Sequence, residues 1–363
     1  MVNVHAVYTF YHWIPTPILP GAHYMRRSLR ALLLFVLVFL LQTTPQPSVS
    51  SGQALTSPAN GEGSISTPHL ISPTHLRSIL ANRSARKDTW GEEPNRKQHH
   101  FMFMEYSPVN RLVELSAEGQ ILWEHPMPGL AVMFEVLKNG DVMYAYGGSS
   151  TGVQEVDRDH KVVWNYRAKC EQVLGFSRLP NGDVLVGEQG PCRAVEVNRK
   201  GEEVHTTPLT TNEKPAHRQL RSLHKLMNGN ILSCHEADAT VREVDPGGKV
   251  VWEYPGCENV FWAERLKNTN TLIGTGSRII EVTPDKKIAW QFTSADAPEL
   301  MMTWMTGIQR LKNGNLVVAN FSRGHEGNGA HAFEVTRDKK VVWIFDNHEI
   351  ASLVTMVHYL DEM

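Results

Sequence analysis

VREVDPGGKVVWEY, Val241 to Tyr254, decides the fold, because the same grammar recurs five more times. The other copies are LVELSAEGQILWEH (Leu112–His125), VQEVDRDHKVVWNY (Val153–Tyr166), AVEVNRKGEEVHTT (Ala194–Thr207), IIEVTPDKKIAWQF (Ile279–Phe292) and AFEVTRDKKVVWIF (Ala332–Phe345). One glutamate marks the register of each: Glu114, Glu155, Glu196, Glu243, Glu281 and Glu334, spaced 41, 41, 47, 38 and 53 residues apart. A period near forty with short apolar runs is that of a propeller blade.

Between the copies runs a second motif: VLKNGDVMYAY from Val136, RLPNGDVLVGE from Arg178, KLMNGNILSCH from Lys225, RLKNTNTLIGT from Arg265 and RLKNGNLVVAN from Arg310. Asn-Gly between apolar runs signals a hairpin, with both turn residues at positive φ. Each unit therefore reads as strand a, a tight turn, strand b, a loop, strand c with the Glu, a tight turn, and strand d with the Trp. The expected fold is all-β: a six-bladed β-propeller of four-stranded antiparallel blades. The chain supplies a lone b-like strand before Leu112 and a lone a-like strand, Val354–Leu360, at its end. Pairing the C-terminal strand with the N-terminal blade closes the ring and removes the open edges.

The repeated Trp123, Trp164, Trp252, Trp290 and Trp343 read as packing between blades, with His205 leaving the third blade less well packed. The repeated Glu reads as structural too, paired with the basic residues before the strand-a Leu: Arg178, Lys225, Arg265 and Arg310.

The N-terminus has a different composition. Arg26, Arg27 and Arg30 precede the apolar run Ala31–Leu41, eleven residues against the roughly 20 that span a bilayer. This reads as a signal peptide or N-terminal anchor over residues 1–54, with Met25 as an alternative start and cleavage after Ala54. Residues 55–98, rich in Ser, Pro, Thr and Gly, read as a flexible linker, and 99–363 as the propeller. The protein is thus expected to be exported, to the periplasm or cell surface, with a membrane tether if the segment stays. A net charge of −2 without a basic stripe excludes nucleic acid as the expected partner.

In an exported chain, four cysteines suggest disulfides. Cys170 with Cys192 and Cys234 with Cys257 are the pairs nearest in sequence that the strand order places on one face.

Strand directions put the short a–b and c–d turns on one face and the long connections on the other. The long connections, 208–219, 293–304 and 321–331, are where a site would sit. The b-strand ends give Tyr106, Tyr146, Glu188, His235, Thr275 and Asn320 as ligand-binding candidates, with His325 and His331 from the last loop. Two residues before the strand-a Leu, the series Glu135, Ser177, His224, Glu264, Gln309 and His358 is polar within apolar strands and should line the central channel. Catalytic candidates are His235, His224, His358, Glu188 and Arg193. No HxxxH or CxxC spacing points to a metal.

The phrase E-V-D-x-x-G-K-V-V-W resembles the Trp-bearing repeat of the pyrroloquinoline-quinone (PQQ)-like, quinoprotein-type propellers. The strand grammar over roughly residues 100–363 is also similar to the arylsulfotransferase-like six-bladed propellers. The first resemblance implies a quinone cofactor in eight-bladed relatives that carry a vicinal Cys pair and bind calcium. This chain has six units and no Cys-Cys, so PQQ is not expected. The second implies a channel histidine as covalent acceptor, for which His224 and His358 are placed. The residues themselves favour a module that binds a small molecule, glycan or protein through its long-loop face and channel. An arylsulfotransferase-like or lyase-like enzyme is the alternative, and a PQQ-dependent oxidoreductase ranks last.

Overall fold

The computed structural model describes residues 99–106, 109–212 and 215–361. The expected export signal, Met25 start, cleavage site and linker lie outside these residues.

Six four-stranded antiparallel sheets form a six-bladed propeller. Blade 1 holds β1 (Phe101–Glu105), β2 (Arg111–Leu115) and β3 (Ile121–Pro126). Blade 2 is β4 (Phe134–Val136), β5 (Val142–Tyr146), β6 (Gly152–Val156) and β7 (Val162–Arg167). Blade 3 is β8 (Gln172–Arg178), β9 (Val184–Gln189), β10 (Arg193–Val197) and β11 (Glu203–Pro208). Blade 4 is β12 (Leu223–Lys225), β13 (Ile231–His235), β14 (Thr240–Val244) and β15 (Val250–Pro255). Blade 5 is β16 (Val260–Arg265), β17 (Thr271–Thr275), β18 (Arg278–Val282) and β19 (Ile288–Thr293). Blade 6 is β20 (Met305–Arg310), β21 (Leu316–Asn320), β22 (Ala332–Val335) and β23 (Val341–Phe345). The last strand, β24 (Val354–Tyr359), is the inner strand of blade 1. It pairs antiparallel with β1 in the register Phe101↔Tyr359, Met102↔His358 and Phe103↔Val357, which closes the ring as expected.

The hairpin turns differ in detail from expectation. In the first Asn-Gly hairpin the Leu137 N–H donates to the Asp141 carbonyl and the Gly140 N–H to the Leu137 carbonyl. Residues 138–140 therefore form a three-residue loop in which glycine alone takes positive φ, 89° at Gly140. Asn139 instead stays at negative φ, and its side-chain oxygen accepts the Asp141 N–H at 3.2 Å. Thr269, in the variant turn, is forced to φ 71°.

The repeated Glu and Trp form a clamp on the next blade. Arg158 and Arg337, from the c–d turns of blades 2 and 6, insert between Glu and Trp of the preceding blade. The Arg158 guanidinium pairs with Glu114 and lies 4.5 Å over Trp123, whose indole N–H donates to the Arg158 carbonyl. Arg337 pairs with Glu281 at 2.6 Å, over Trp290 at 4.4 Å. Arg199 reaches Glu155 and Trp164 in the same way.

In blades 4 and 5 the equivalent turn residues are Pro246 and Pro284, which carry no guanidinium. There the basic residue at the end of strand a substitutes: Lys225 reaches Glu196 at 2.6 Å and Arg265 reaches Glu243 at 2.8 Å. The expected Glu–Arg/Lys pairing is thus present, but it joins blades rather than strands of one blade, and only where the turn residue is proline. Arg178 and Arg310 are left for the channel acids: Arg310 pairs with Glu264 at 3.4 Å, and Arg178 acts on Glu135. At the seam between blades 6 and 1 the turn residue is Ala117, and His99 takes the place of the arginine. It lies 3.3 Å from Glu334 and stacks on Tyr359 at 3.8 Å.

The third blade, whose clamp tryptophan is His205, has an outer strand β11 exposed at five of its six positions. Below the clamps, apolar side chains fill the wedges between sheets. At the closing seam Phe101 meets Trp343 and Phe345 at 5.2 Å each.

One buried pair fixes the approach to β24. Arg111 bonds Glu105 at 2.6 Å and the Ile350 carbonyl at 2.7 Å, and Glu105 accepts the Ser352 N–H at 2.9 Å. Both side chains are almost fully buried. Glu105→Ala would leave the buried guanidinium with the partly exposed Glu124 as its one remaining counter-charge, beside the Ile350 carbonyl. Removing one partner of such a pair costs about 3–5 kcal/mol. Urea unfolding should show that loss, with an unchanged dependence on denaturant.

Candidate functional site

The expected channel residues lie one in each first strand of a sheet: Glu135 in β4, Ser177 in β8, His224 in β12, Glu264 in β16, Gln309 in β20 and His358 in β24. Glu135, Ser177, His224, Glu264, Gln309 and His358 are each half-buried, in strands otherwise buried at that depth. They come from the a–b turn end of strand a, toward the short-turn face. Burial lowers the pKa of His224 and of His358 to about 4, so both imidazoles are neutral near pH 7. Burial raises the pKa of Glu135 and Glu264, opposed by Arg178 and Arg310 respectively. His358 lies 3.5 Å from Gln309, and His224 makes an edge contact with Trp262 at 5.2 Å. Trp262 packs against the core clusters containing Met133 and Met356 on one side and Met305 and Ile308 on the other. Among the described residues no group of three or more His, Cys, Asp or Glu could hold a metal ion.

The ring of b-strand ends is placed at the long-loop face, but most of it is inside the protein. Tyr106 is half-exposed, whereas Tyr146, Glu188, His235, Thr275 and Asn320 are buried. The buried five are bonded to neighbouring strands or loops. Tyr146 donates to Asn165 at 3.2 Å. Glu188 accepts from Tyr166 and Arg193, both at 2.7 Å. Thr275 donates to the Glu258 carbonyl at 2.6 Å. Asn320 donates to the Ala330 carbonyl and accepts the Thr303 N–H, both at 2.8 Å. His235 lies 3.0 Å from the Ser233 hydroxyl, and burial, with Arg242 nearby, lowers its pKa to about 3.

His331 is buried against His348, ring centres 4.4 Å apart, while His325 lies exposed on the last long loop. The catalytic candidates therefore have separate settings. Glu188 and Arg193 bond each other, His235 belongs to the next blade, and His224 and His358 lie toward the other face.

Of an arc of aromatic side chains at the long-loop mouth, reading the sequence as repeats picked out Tyr106 and missed Phe261, Trp304 and Phe321. Tyr106 leaves β1, Phe321 follows β21, Trp304 precedes β20, and Phe261 opens β16 at a bulge. Their rings follow one another: Tyr106–Phe321 at 5.6 Å, Phe321–Trp304 at 5.6 Å and Trp304–Phe261 at 5.7 Å. Trp304 and Tyr106 keep part of their surface exposed. Cations adjoin the arc. The Arg221 guanidinium lies 4.9 Å over Phe261 and pairs with the buried Glu236, which also accepts from Arg218 at 2.7 Å. His217 bonds Gln172 at 2.9 Å, and Arg221, Arg218 and Arg323 all lower its pKa after burial. A signal was present: once the repeat tryptophans are set aside, Trp262 and Trp304 are the two that remain between residues 99 and 363.

The expected disulfides are not formed; Cys170, Cys192, Cys234 and Cys257 are free thiols. Cys170 and Cys192 belong to different core clusters. Cys234 and Cys257 share one, where Cys234 accepts from the Ser222 hydroxyl at 3.4 Å and Cys257 faces the Tyr254 carbonyl. Burial raises the pKa of Cys192 to about 11 and of Cys170 and Cys257 to about 12, and that of Cys234 further, so the reactive thiolate is scarce.

Among the described residues no helix is long and apolar enough to cross a membrane. The apolar run Ala31–Leu41, from which a tether was expected, lies outside them.

No protein-family model matches the chain, and neither does any curated protein. Among solved structures, a protein of unknown function from Bacteroides caccae is similar at TM-score 0.64 and 23% identity, covering 72% of this chain and 98% of that one. Virginiamycin B lyase from Staphylococcus aureus is similar at TM-score 0.46 and 10% identity, over 69% of this chain and 84% of that one. A WD40 β-propeller domain of Doa1 is similar at TM-score 0.46 and 11% identity, over 69% and 83%. At 23% identity what is shared with the Bacteroides caccae protein is the fold, a six-bladed propeller, which by itself carries no chemistry.

Proposed function

We propose that this chain is an exported binding propeller that captures a small ligand, or a sugar ring of a glycan, at its long-loop mouth. The observation that carries the reading is the arc Tyr106–Phe321–Trp304–Phe261, with Trp304 and Tyr106 partly open and Arg221, Arg218 and Arg323 beside it. A flat apolar face would lie on Trp304, and the guanidinium groups would favour ligands carrying negative charge. The one buried acid nearby, Glu236, is already neutralised by Arg221 and Arg218. Capture rather than turnover is supported by the separation of the histidines and carboxylates that could act as general acid and base. It is also supported by Glu188 and Glu264 each being paired with an arginine, Arg193 and Arg310. The likeness of the repeats to quinoprotein-type and arylsulfotransferase-like propellers enters as a likeness of strands and carries no cofactor to this mouth. The export signal, and any tether by Ala31–Leu41, belong to the same proposal.

The test is quenching of tryptophan fluorescence by a panel of 4-nitrophenyl glycosides. At least one member should bind, and Trp304→Ala should weaken it at least tenfold, about the 1.4 kcal/mol expected for losing one aromatic face. No quenching by any member, or equal binding by Trp304→Ala, would overturn the reading.

A further inference from the structure

The clamp that recurs between blades is built differently where the c–d turn carries proline, and the difference leaves space. Between blades 5 and 6, where Arg337 inserts, the short-turn cleft has a volume of about 240 Å³. Between blades 4 and 5, where Pro284 stands at the matching place, the cleft measures about 520 Å³. Two a–b turns wall it, Leu226–Asn228 of blade 4 and Leu266–Thr269 of blade 5, and the channel residues His224 and Glu264 open onto it.

The hydrogen-bonding capacity left over in this cleft is mostly that of donors. Glu243 is occupied: it accepts from Arg265 at 2.8 Å, Asn230 at 2.7 Å and Asn228 at 3.3 Å. Glu264 is engaged by Arg310. By contrast, the Arg265 Nε–H is buried without a partner, and so is His224 Nε2. Lys267 is exposed and has no ion pair among the described residues, unlike Lys225, which is held by Glu196. Leu226, Leu266 and the fully exposed Met227 give the cleft an apolar lip. A large, solvent-facing methionine beside an unpaired lysine and a buried unpaired guanidinium N–H is a poor design for a surface that binds nothing.

We propose that this cleft is a second ligand site, separate from the long-loop mouth, for a small organic acid: a carboxylate directed at Lys267, with an apolar body against Met227 and the two leucines. The repeat itself creates the site. Proline at position 284 removes the arginine that fills the corresponding cleft between blades 5 and 6, and Arg265, drawn across to replace it, leaves one N–H unspent.

The experiment is ¹⁹F NMR titration of the propeller with 4-fluorobenzoate and, separately, with 4-fluorobenzyl alcohol, which has the same ring and no charge. The acid should bind at least fivefold tighter than the alcohol. Lys267→Gln should abolish that preference and Lys267→Arg should keep it. Met227→Glu should weaken both by removing the apolar contact, and the acid more, because the new carboxylate repels its charge. Both positions are exposed, so folding is not at issue. Trp304→Ala, at the opposite mouth, should change none of these values. The inference is overturned by equal binding of acid and alcohol, by no binding of the acid, or by acid binding indifferent to Lys267→Gln and Met227→Glu. Loss of acid binding on Trp304→Ala would also overturn it, because the acid would then belong to the mouth.

Discussion

Removing residues 354–363 is expected to unfold the propeller rather than trim it. The deleted β24 is the inner strand of blade 1, and Val354, Met356, Val357 and Tyr359 are all buried in it. At roughly 1.5–3 kcal/mol for each large apolar side chain, their burial is worth on the order of 10 kcal/mol. That is comparable with the whole stability of a typical domain, about 5–15 kcal/mol. The loss also reaches beyond the strand. His99 loses the Tyr359 ring it stacks on, Trp343 loses its edge contact with Tyr359 at 5.3 Å, and the full edge of β1 opens to solvent. An open edge beside an apolar seam invites pairing between molecules. The truncated chain should lose its cooperative thermal transition and elute as aggregates in size-exclusion chromatography. A synthetic peptide of residues 350–363, added during refolding, should restore a monomeric, cooperatively melting species. A monomeric truncated chain melting near the full-length temperature would refute this account of closure.

Acid should destabilise the fold well before carboxylates normally titrate. Five histidines are held neutral by burial: His125, His224 and His358 at pKa about 4, and His235 and His331 at about 3. In the unfolded chain each titrates near 6.5. Above pH 6.5 both states are neutral and these groups contribute no pH dependence. Below it the unfolded chain takes up protons that the folded chain refuses, so stability falls until the folded pKa is reached at about 3–4. The slope is at most about 1.4 kcal/mol per pH unit for each histidine. Glu135 and Glu264 act in the opposite sense, since their raised pKa means the folded chain binds their protons first. Two groups against five leave the histidines dominant. The melting temperature should therefore fall steadily between pH 6.5 and 4.5, and His235→Asn should make the fall shallower. A melting temperature flat over that interval would contradict the neutral burial of these rings.

How much of this was legible in the chain follows from which residues repeat. The six glutamates, the Asn-Gly turns and the orphan strands at either end determined blade number, strand order and ring closure. Each is a local pattern of period two with a turn, copied until the ring fills. The series Glu135, Ser177, His224, Glu264, Gln309 and His358 was legible as six equivalent strand-a positions for the same reason. The b-strand ends were legible as positions but not as surfaces. Tyr146, Glu188, His235, Thr275 and Asn320 do lie at the long-loop face, yet they are buried and bonded to neighbouring strands or loops.

What only the tertiary structure decided lies between blades. The partner of Glu281 is 56 residues away and that of Glu334 is His99 at the other end of the domain. Whether a glutamate meets an arginine of the next turn or a lysine of the next inner strand depends on a proline in a different blade. The aromatic arc joins residues from blades 1, 5 and 6, of which only Tyr106 sits at a repeated position. The free cysteines depend on which core cluster each thiol packs in, a question of wedge filling rather than of spacing. Repetition in the sequence determined the scaffold, because each blade is specified by its own forty residues. The site chemistry was decided where symmetry fails, through contacts between segments that the sequence sets far apart.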